Sequence, residues 1–266
     1  MFEIDGHTHT HYCPHGSGEH VALMIERAIL LGIKEYHITE HTPIPQRFLS
    51  QLQPHEALKD YLAMDEREVE RYLIEMAALK ERFKHQINIK VGFEVDYIPT
   101  EVSWTKDFLN AYGKYCDTGI LSVHYAKGLN DWRCVDYTPE DVVNELIPAY
   151  GSLENYQHAY YELVKDAVLA DLGPHKPTRI GHLNLVDKFK KQIGTPEEHM
   201  LEQQLTQLLG IISRKNYSLD YNHAGLYKPL CGDIYPTKWM VDKARRLEIP
   251  LIYGSDAHGV EDVGRK

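Results

Sequence analysis

Cysteine is scarce in this sequence, and what there is stands apart. Cys13, Cys116, Cys134 and Cys231 form no Cys-x-x-Cys pair, so reduced thiols are the expectation. Long apolar runs are missing: none approaches ~18 residues, and no membrane-spanning helix is expected. No signal-peptide pattern opens the chain either, because a charged, histidine-bearing stretch begins at once, which points to a cytoplasmic protein. Basic charge is in deficit, with 29 Lys and Arg against 39 Asp and Glu, a formal net charge of −10. That balance argues against nucleic acid as a partner, since phosphate backbones attract basic surfaces. A local basic pocket for one small phosphate stays open.

What the chain does have is histidine, 16 residues of it, dispersed along the sequence rather than gathered in a tag. The first cluster is Asp5-Gly6-His7-Thr8-His9-Thr10-His11-Tyr12-Cys13-Pro14-His15. In a strand, side chains alternate between faces, so His7 and His9 project from the same side, a suitable placement for two imidazoles on one metal ion.

The pattern then repeats. A helix over 19–31, closed by Gly32, leads to a strand over 34–39 that runs into Glu40-His41. Residues 43–60, rich in proline-flanked turns, read as a long loop, and loops of that length are often lids. An amphipathic helix over 65–83 precedes a strand over 87–97 that carries Glu94, a charge inside an apolar run and therefore a candidate ligand. A helix over 102–112 is followed by a strand over 119–125 ending at His124, then by a polar loop over 127–136 that holds Arg133. Helices over 139–150 and 153–172 lead to a strand over 176–183, which contains Arg179 and His182. A helix over 197–214, a strand over 217–222 and a helix over 237–247 precede a last strand over 249–254, which delivers Asp256 and His258.

Seven strands alternate with helices, and six of the seven offer a metal-type side chain at the C-terminal end. Alternation implies parallel strands with right-handed crossovers. Convergence of so many strand ends on one mouth favours a distorted (β/α)7 barrel over an open sheet, in a single α/β domain spanning 1–266. The set is His7, His9, His15, His41, Glu94, His124, His182, Asp256 and His258. Nine nitrogen and oxygen donors exceed the needs of one ion that keeps an open position, but they suffice for two or three divalent ions, Zn, Mn, Fe or a mixture. Cys13, His11 and His223 stand nearby and are left outside the set.

The motifs Asp5-Gly6-His7-Thr8-His9, Cys13-Pro14-His15-Gly16, Thr39-Glu40-His41, Gly92-Phe93-Glu94-Val95-Asp96, Leu121-Ser122-Val123-His124, Arg179-Ile180-Gly181-His182 and Gly254-Ser255-Asp256-Ala257-His258 resemble, in order, those of the polymerase-and-histidinol-phosphatase (PHP) family. Within it the chain resembles most the monofunctional histidinol-phosphate phosphatases. The resemblance implies a trinuclear centre, with His7, His9, Glu94 and Asp256 on one ion and His15, His41 and His258 on a second. Glu94 then bridges to a third held by His124 and His182. It also implies hydrolysis of L-histidinol phosphate in histidine biosynthesis, by a hydroxide bridging two ions. Another small phosphate ester such as a nucleotide is the alternative substrate, and a non-catalytic metal-binding module the alternative class. Arg179, then Arg133, are the first choices for a cation that holds the phosphoryl oxygens. Asp96 and the 43–60 loop are candidates to recognise the rest of the substrate.

Overall fold

Seven parallel strands form one sheet in strictly sequential order: β1 (Ile4–Asp5), β2 (Glu35–His41), β3 (Asn88–Asp96), β4 (Thr118–Ser122), β5 (Arg179–Ile180), β6 (Ser218–Asn222) and β7 (Leu251–Gly254). The structure, a computed structural model, describes residues 2–266, the side chain of Glu198 excepted. β1 and β7 do not share a regular ladder, yet the sheet curls until they meet. Gly6 N–H donates to Tyr253 O at 2.7 Å, Asp256 N–H to His7 O at 2.8 Å and His9 N–H to Ala257 O at 2.8 Å. Ser255 N–H adds a bond to the Asp5 carboxylate at 2.9 Å. The result is an α/β barrel, nearly closed, in agreement with the distorted (β/α)7 expectation.

The helices form where the 3.6-residue period places apolar side chains on one stripe. Those packed around the barrel include α1 (Val21–Leu30), α2 (Val69–Phe83), α3 (Val102–Tyr112), α4 (Leu153–Leu169), α5 (Glu198–Arg214) and α6 (Lys238–Arg246). On α2 the buried residues are Val69, Tyr72, Met76, Leu79 and Phe83. Full burial of such side chains contributes roughly 1.5–3 kcal/mol each. The start of α4 is fixed by Ser152, whose hydroxyl accepts from Asn155 N–H at 3.1 Å.

Two segments depart from the sequence reading. Residues 43–60 are folded rather than loose: one-turn helices at Gln46–Leu49 and His55–Leu58 flank a short strand, Leu52–Gln53. That strand pairs with Trp132–Cys134, which pairs in turn with Tyr125–Lys127, so the expected polar loop over 127–136 is half of a hairpin. The cause is a satellite core of Phe48, Leu49, Leu52, Leu58, Tyr125 and Trp132, all buried. The strand expected over 176–183 is regular only at Arg179–Ile180. Beyond it Gly181 lies so close to Ser122 Oγ and Ile120 that no side chain fits.

Candidate metal centre

The barrel brings all nine proposed donors to the C-terminal mouth. His7 and His9 lie fully buried beneath it, while His15, His41, Glu94, His124, His182, Asp256 and His258 line a cavity of about 760 Å³. β1 and its extension supply His7 and His9, β2 ends in His41, and β3 carries Glu94. The turns after β4, β5 and β7 deliver His124, His182, and Asp256 with His258. His15 sits on the Thr10–Gly16 turn, held by Cys13 N–H to Thr10 O and Gly16 N–H to Cys13 O, both 3.1 Å. Asp256 adopts a positive φ of 52°, an unusual conformation fixed by the seam bond to His7 and by Arg265 Nη2–H on its carbonyl at 3.1 Å.

Five of the seven imidazoles share an orientation, with Nδ1 tied outward and Nε2 inward. His182 also turns Nε2 inward, without an Nδ1 partner among the described residues, and His41 instead turns Nδ1 towards Glu94. His7 Nδ1–H donates to Asp220 Oδ2 at 2.7 Å, His9 to Glu40 Oε1 at 3.2 Å and His124 to Asp96 Oδ1 at 2.6 Å. His15 donates to Tyr61 O at 2.8 Å and His258 to Asp256 O at 3.1 Å. Each anchor fixes the tautomer that leaves an Nε2 lone pair free. Those atoms then meet in pairs: His7 with His9 at 3.2 Å, His124 with His182 at 3.1 Å, and His15 with His258 at 3.1 Å. In the His15–His258 pair, where burial pushes both rings down, two neutral Nε2 lone pairs face each other and repel. The spacing instead matches the edge of a coordination polyhedron, since bonds of ~2.0–2.1 Å to a tetrahedral ion set donors roughly 3.3 Å apart. The residues present therefore fit divalent ions.

Glu94 sits between the pairs. Its Oε2 lies 3.2 Å from His7 Nε2, 3.5 Å from His9 Nε2 and 3.2 Å from His41 Nδ1. Its Oε1 lies 2.8 Å from His182 Nε2 and 3.6 Å from His124 Nε2, and also accepts from Ser122 Oγ at 2.6 Å. Burial works against the carboxylate's charge, but His7, His124 and His41 hold it well below the usual carboxylate range. The rings divide: burial and the neighbouring His9 push His15, His41 and His258 down, while His9 and His124 go up. Burial opposes protonation, yet Asp256 and Glu40 raise His9 to about 9, and Asp96 with Glu94 raises His124 to about 10. A metal-free centre thus retains protons that a cation would replace.

Three groups of donors each gather within 4.8 Å: His7, His9 and Asp256; Glu94, His124 and His182; and His41 and His258 with His9 and Cys13. His41 thus stands nearer His9 than its assignment beside His15 anticipates, and Cys13 comes within reach. Burial, with Glu40 next in size, pushes the Cys13 thiol up, so it stays protonated and a poor ligand.

The two arginines are not brought to the mouth. Arg133 is held by Asp141 at 2.8 Å and Glu145 at 3.3 Å, outside the cavity lining. Arg179 points into the barrel but near its floor, bonded to Thr118 Oγ1 at 3.1 Å and to His37 Nδ1 at 3.3 Å. Cations that do line the mouth are Lys188, Lys228 and Arg265. Asp96 lines the mouth, as expected of a residue that faces substrate, and its Oδ1 also anchors His124. His223 turns away from the donors and packs edge-on against Phe2, Tyr221 and Tyr253. His11 joins His20 and Glu75 in a separate group.

The sequence reading missed Asp220, Glu40, Asp136 and Lys188. Asp220 carried the same signal as Glu94, a carboxylate inside a buried strand.

A PHP domain family model matches residues 5–224. The chain belongs to the PHP domain family. It is 38% identical over 264 residues to the histidinol-phosphatase of Bacillus subtilis (strain 168), covering 99% of this chain and 96% of that one. A solved structure from Listeria monocytogenes superposes with a TM-score of 0.95 at 40% identity, covering 98% of this PHP chain and 97% of that chain. The Lactococcus lactis histidinol phosphate phosphatase, crystallised with zinc, L-histidinol and phosphate, shares the PHP barrel at a TM-score of 0.72 and 20% identity, with 96% and 86% covered.

Proposed function

We propose that this PHP protein hydrolyses L-histidinol phosphate to L-histidinol and phosphate, using two or three divalent ions held by the nine donors at the mouth. The observation that carries the reading is the convergence of inward-facing Nε2 pairs around Glu94, in a chain matched end to end by a histidinol-phosphatase. His7, His9, Glu94 and Asp256 would hold one ion, His124, His182 and Glu94 another, and His15, His41 and His258 a third. When bound, such ions supply a nucleophilic water at neutral pH and charge neutralisation of the phosphoryl oxygens.

The chain's own residues do the rest. Asp220, Glu40 and Asp96 orient the rings and keep the Nε2 lone pairs aimed inward. Lys188 extends into the mouth, where two of its donors are taken by Asp136, on O at 2.7 Å and on Oδ2 at 2.8 Å. A lysine ammonium has three donors, so one remains to fix a phosphoryl oxygen. Leu58, Tyr61 and Leu62, from the segment after β2, wall the cavity on one side and limit water access. Glu19 and Glu261 also line it, while Asp136 and Asp262 are paired with Lys188 and Arg265. The two carboxylates without an ion pair among the described residues suit the cationic amine and imidazole of histidinol and repel the extra phosphates of a nucleotide. No helix is long and apolar enough to cross a membrane among the described residues, and the reading fits a cytoplasmic biosynthetic enzyme.

The test is a substrate panel of histidinol phosphate, nucleotides and p-nitrophenyl phosphate, run with Zn, Mn and Fe separately. Histidinol phosphate is expected to give the highest kcat/KM. A nucleotide preferred over it would overturn the substrate, and a metal-loaded protein inert on every ester would overturn the enzyme reading.

A further inference from the structure

The barrel has a second end, and a buried charge lies there without a direct ion pair among the described residues. Arg179 is 5% exposed. Its Nη2 reaches only neutral partners, Thr118 Oγ1 and His37 Nδ1, and its Nη1, packed against Gly6, has no partner among the described residues. His37 cannot share the charge: its Nδ1 accepts from the guanidinium, and its Nε2–H donates to Glu35 Oε1 at 2.8 Å. Burial and the guanidinium push His37 down to about 4. A guanidinium does not give up its proton in a protein, and a buried charge without a direct partner is costly.

The carboxylates that act on Arg179 from farther off are Asp220, Asp5, Glu94 and Glu35. Asp220 gives Oδ2 to His7 while its Oδ1 has no hydrogen-bond partner among the described residues, Glu94 belongs to the donor set, and Glu35 lies beyond the His37 ring. The Asp5 carboxylate accepts from Ser255 N–H at 2.9 Å and from Gly264 N–H at 3.2 Å. None of them makes a direct ion pair with the guanidinium among the described residues.

Beside this charge a cavity of about 360 Å³ opens at the N-terminal ends of the strands. Thr118, Thr178, Ser218 and Lys176 line it together with Arg179 and His37, so hydroxyl donors surround the guanidinium side. The one lining carboxylate, Asp117, is turned to Lys80 Nζ at 2.6 Å and Val91 N–H at 3.1 Å. The Lys176 ammonium bonds the carbonyls of Val168 and Ala170 at 2.9 and 2.7 Å, so it adds positive potential without closing the space.

We propose that this floor cavity is a second oxyanion site, distinct from the metal mouth, in which Arg179 and the hydroxyls of Thr118 and Ser218 bind a small tetrahedral anion such as sulfate or inorganic phosphate. The anion supplies in direct contact the counter-charge that Asp220, Asp5, Glu94 and Glu35 supply only from farther off. The site does not depend on the phosphatase reading, since none of its residues belongs to the mouth.

Ser218 faces Arg179 directly, as Cα partners on adjacent strands. Ser218→Asp therefore places a carboxylate beside the guanidinium and fills the role of the ligand from within. The experiment measures Tm and calorimetric binding with millimolar sulfate at fixed ionic strength, on the metal-loaded wild type, Ser218→Asp, Arg179→Met and the mouth variant Lys188→Met. Wild type and Lys188→Met are expected to show saturable sulfate binding and a rise in Tm. Ser218→Asp is expected to start from a higher Tm and bind sulfate at least tenfold more weakly. Arg179→Met, where it folds, loses the response; where it does not, Ser218→Asp decides. Saturable binding that is equal in wild type and Ser218→Asp, or lost in Lys188→Met, overturns the proposal. So does the absence of sulfate binding to wild type.

Discussion

Replacing Asp220 by Asn tests whether the metal centre depends on residues that touch no ion. The substitution keeps the size of the side chain and removes its charge. In the wild type Asp220 Oδ2 accepts from His7 Nδ1–H at 2.7 Å, with Asn222 Nδ2 at 3.0 Å as a further donor. Asp220 is fully buried, and burial alone would oppose its charge, but His7 holds its carboxyl below the usual range. The charged hydrogen bond makes His7 Nε2 a better donor, and loss of such a partner costs roughly 10–100-fold in metal affinity, about 1.4–2.8 kcal/mol. The loss should be confined to the ion at His7, His9 and Asp256. His124 has its own anchor in Asp96 at 2.6 Å, so the ion at His124 and His182 should be retained. Metal stoichiometry after dialysis against a graded series of chelator concentrations, with circular dichroism as a check on folding, reads this directly. If every ion is released in parallel, or none more readily than in the wild type, the anchoring argument is wrong.

Metal loading should release protons. His9, raised to about 9, and His124, raised to about 10, are protonated at neutral pH in the metal-free protein and must be neutral to bind. His7 is raised as well, against its burial, by Asp220 and Glu94. Loading at pH 7 should therefore expel about three protons, and overall affinity should rise by about three log units per pH unit up to roughly pH 9; calorimetry in buffers of different ionisation heat that finds no release would contradict it. Gly254→Ala should loosen the same ion as Asp220→Asn, because the added Cβ would lie 2.5 Å from Asp220 Oδ1 and 2.6 Å from His7 Cβ. Overpacking of this kind costs about 1–3 kcal/mol, and an unchanged Tm with full metal content would refute the expected crowding. Lys188→Met should lower kcat/KM on a phosphate ester by about 10²-fold with metal content intact; unaltered kinetics would remove Lys188 from the site.

The barrel was legible because parallel strands buried on both faces read as apolar runs, and because each such run ended in a histidine or carboxylate. The donor set was legible for the same reason. The anchors were not. Glu40 looks like a solvated strand-end residue, and Asp220, a carboxylate inside a buried strand, has no evident partner until the fold supplies His9 and His7 across the barrel. Arg179 shows a different limit. Alternation tells which face a residue takes, but three residues along a strand also amount to roughly 10 Å of height. Arg179 and His182 both point inward, since the regular strand stops at Ile180, yet one is at the floor and the other at the mouth. The segment 43–60 was misread because prolines were weighted over Phe48, Leu52 and Leu58, which form a core only with Trp132, far along the chain.

The seam between β1 and β7 gives the metals a mechanical role. It joins positions 250 residues apart, Asp5 and Ser255, and no regular ladder reinforces it. Bringing ends together over such a span costs about 5 kcal/mol in chain entropy. An ion held by His7 and His9 on one side and by Asp256 on the other would work as the buckle of a belt. Fraying of β1 and loss of that ion would then be one event, and amide exchange along β1 would gauge metal occupancy.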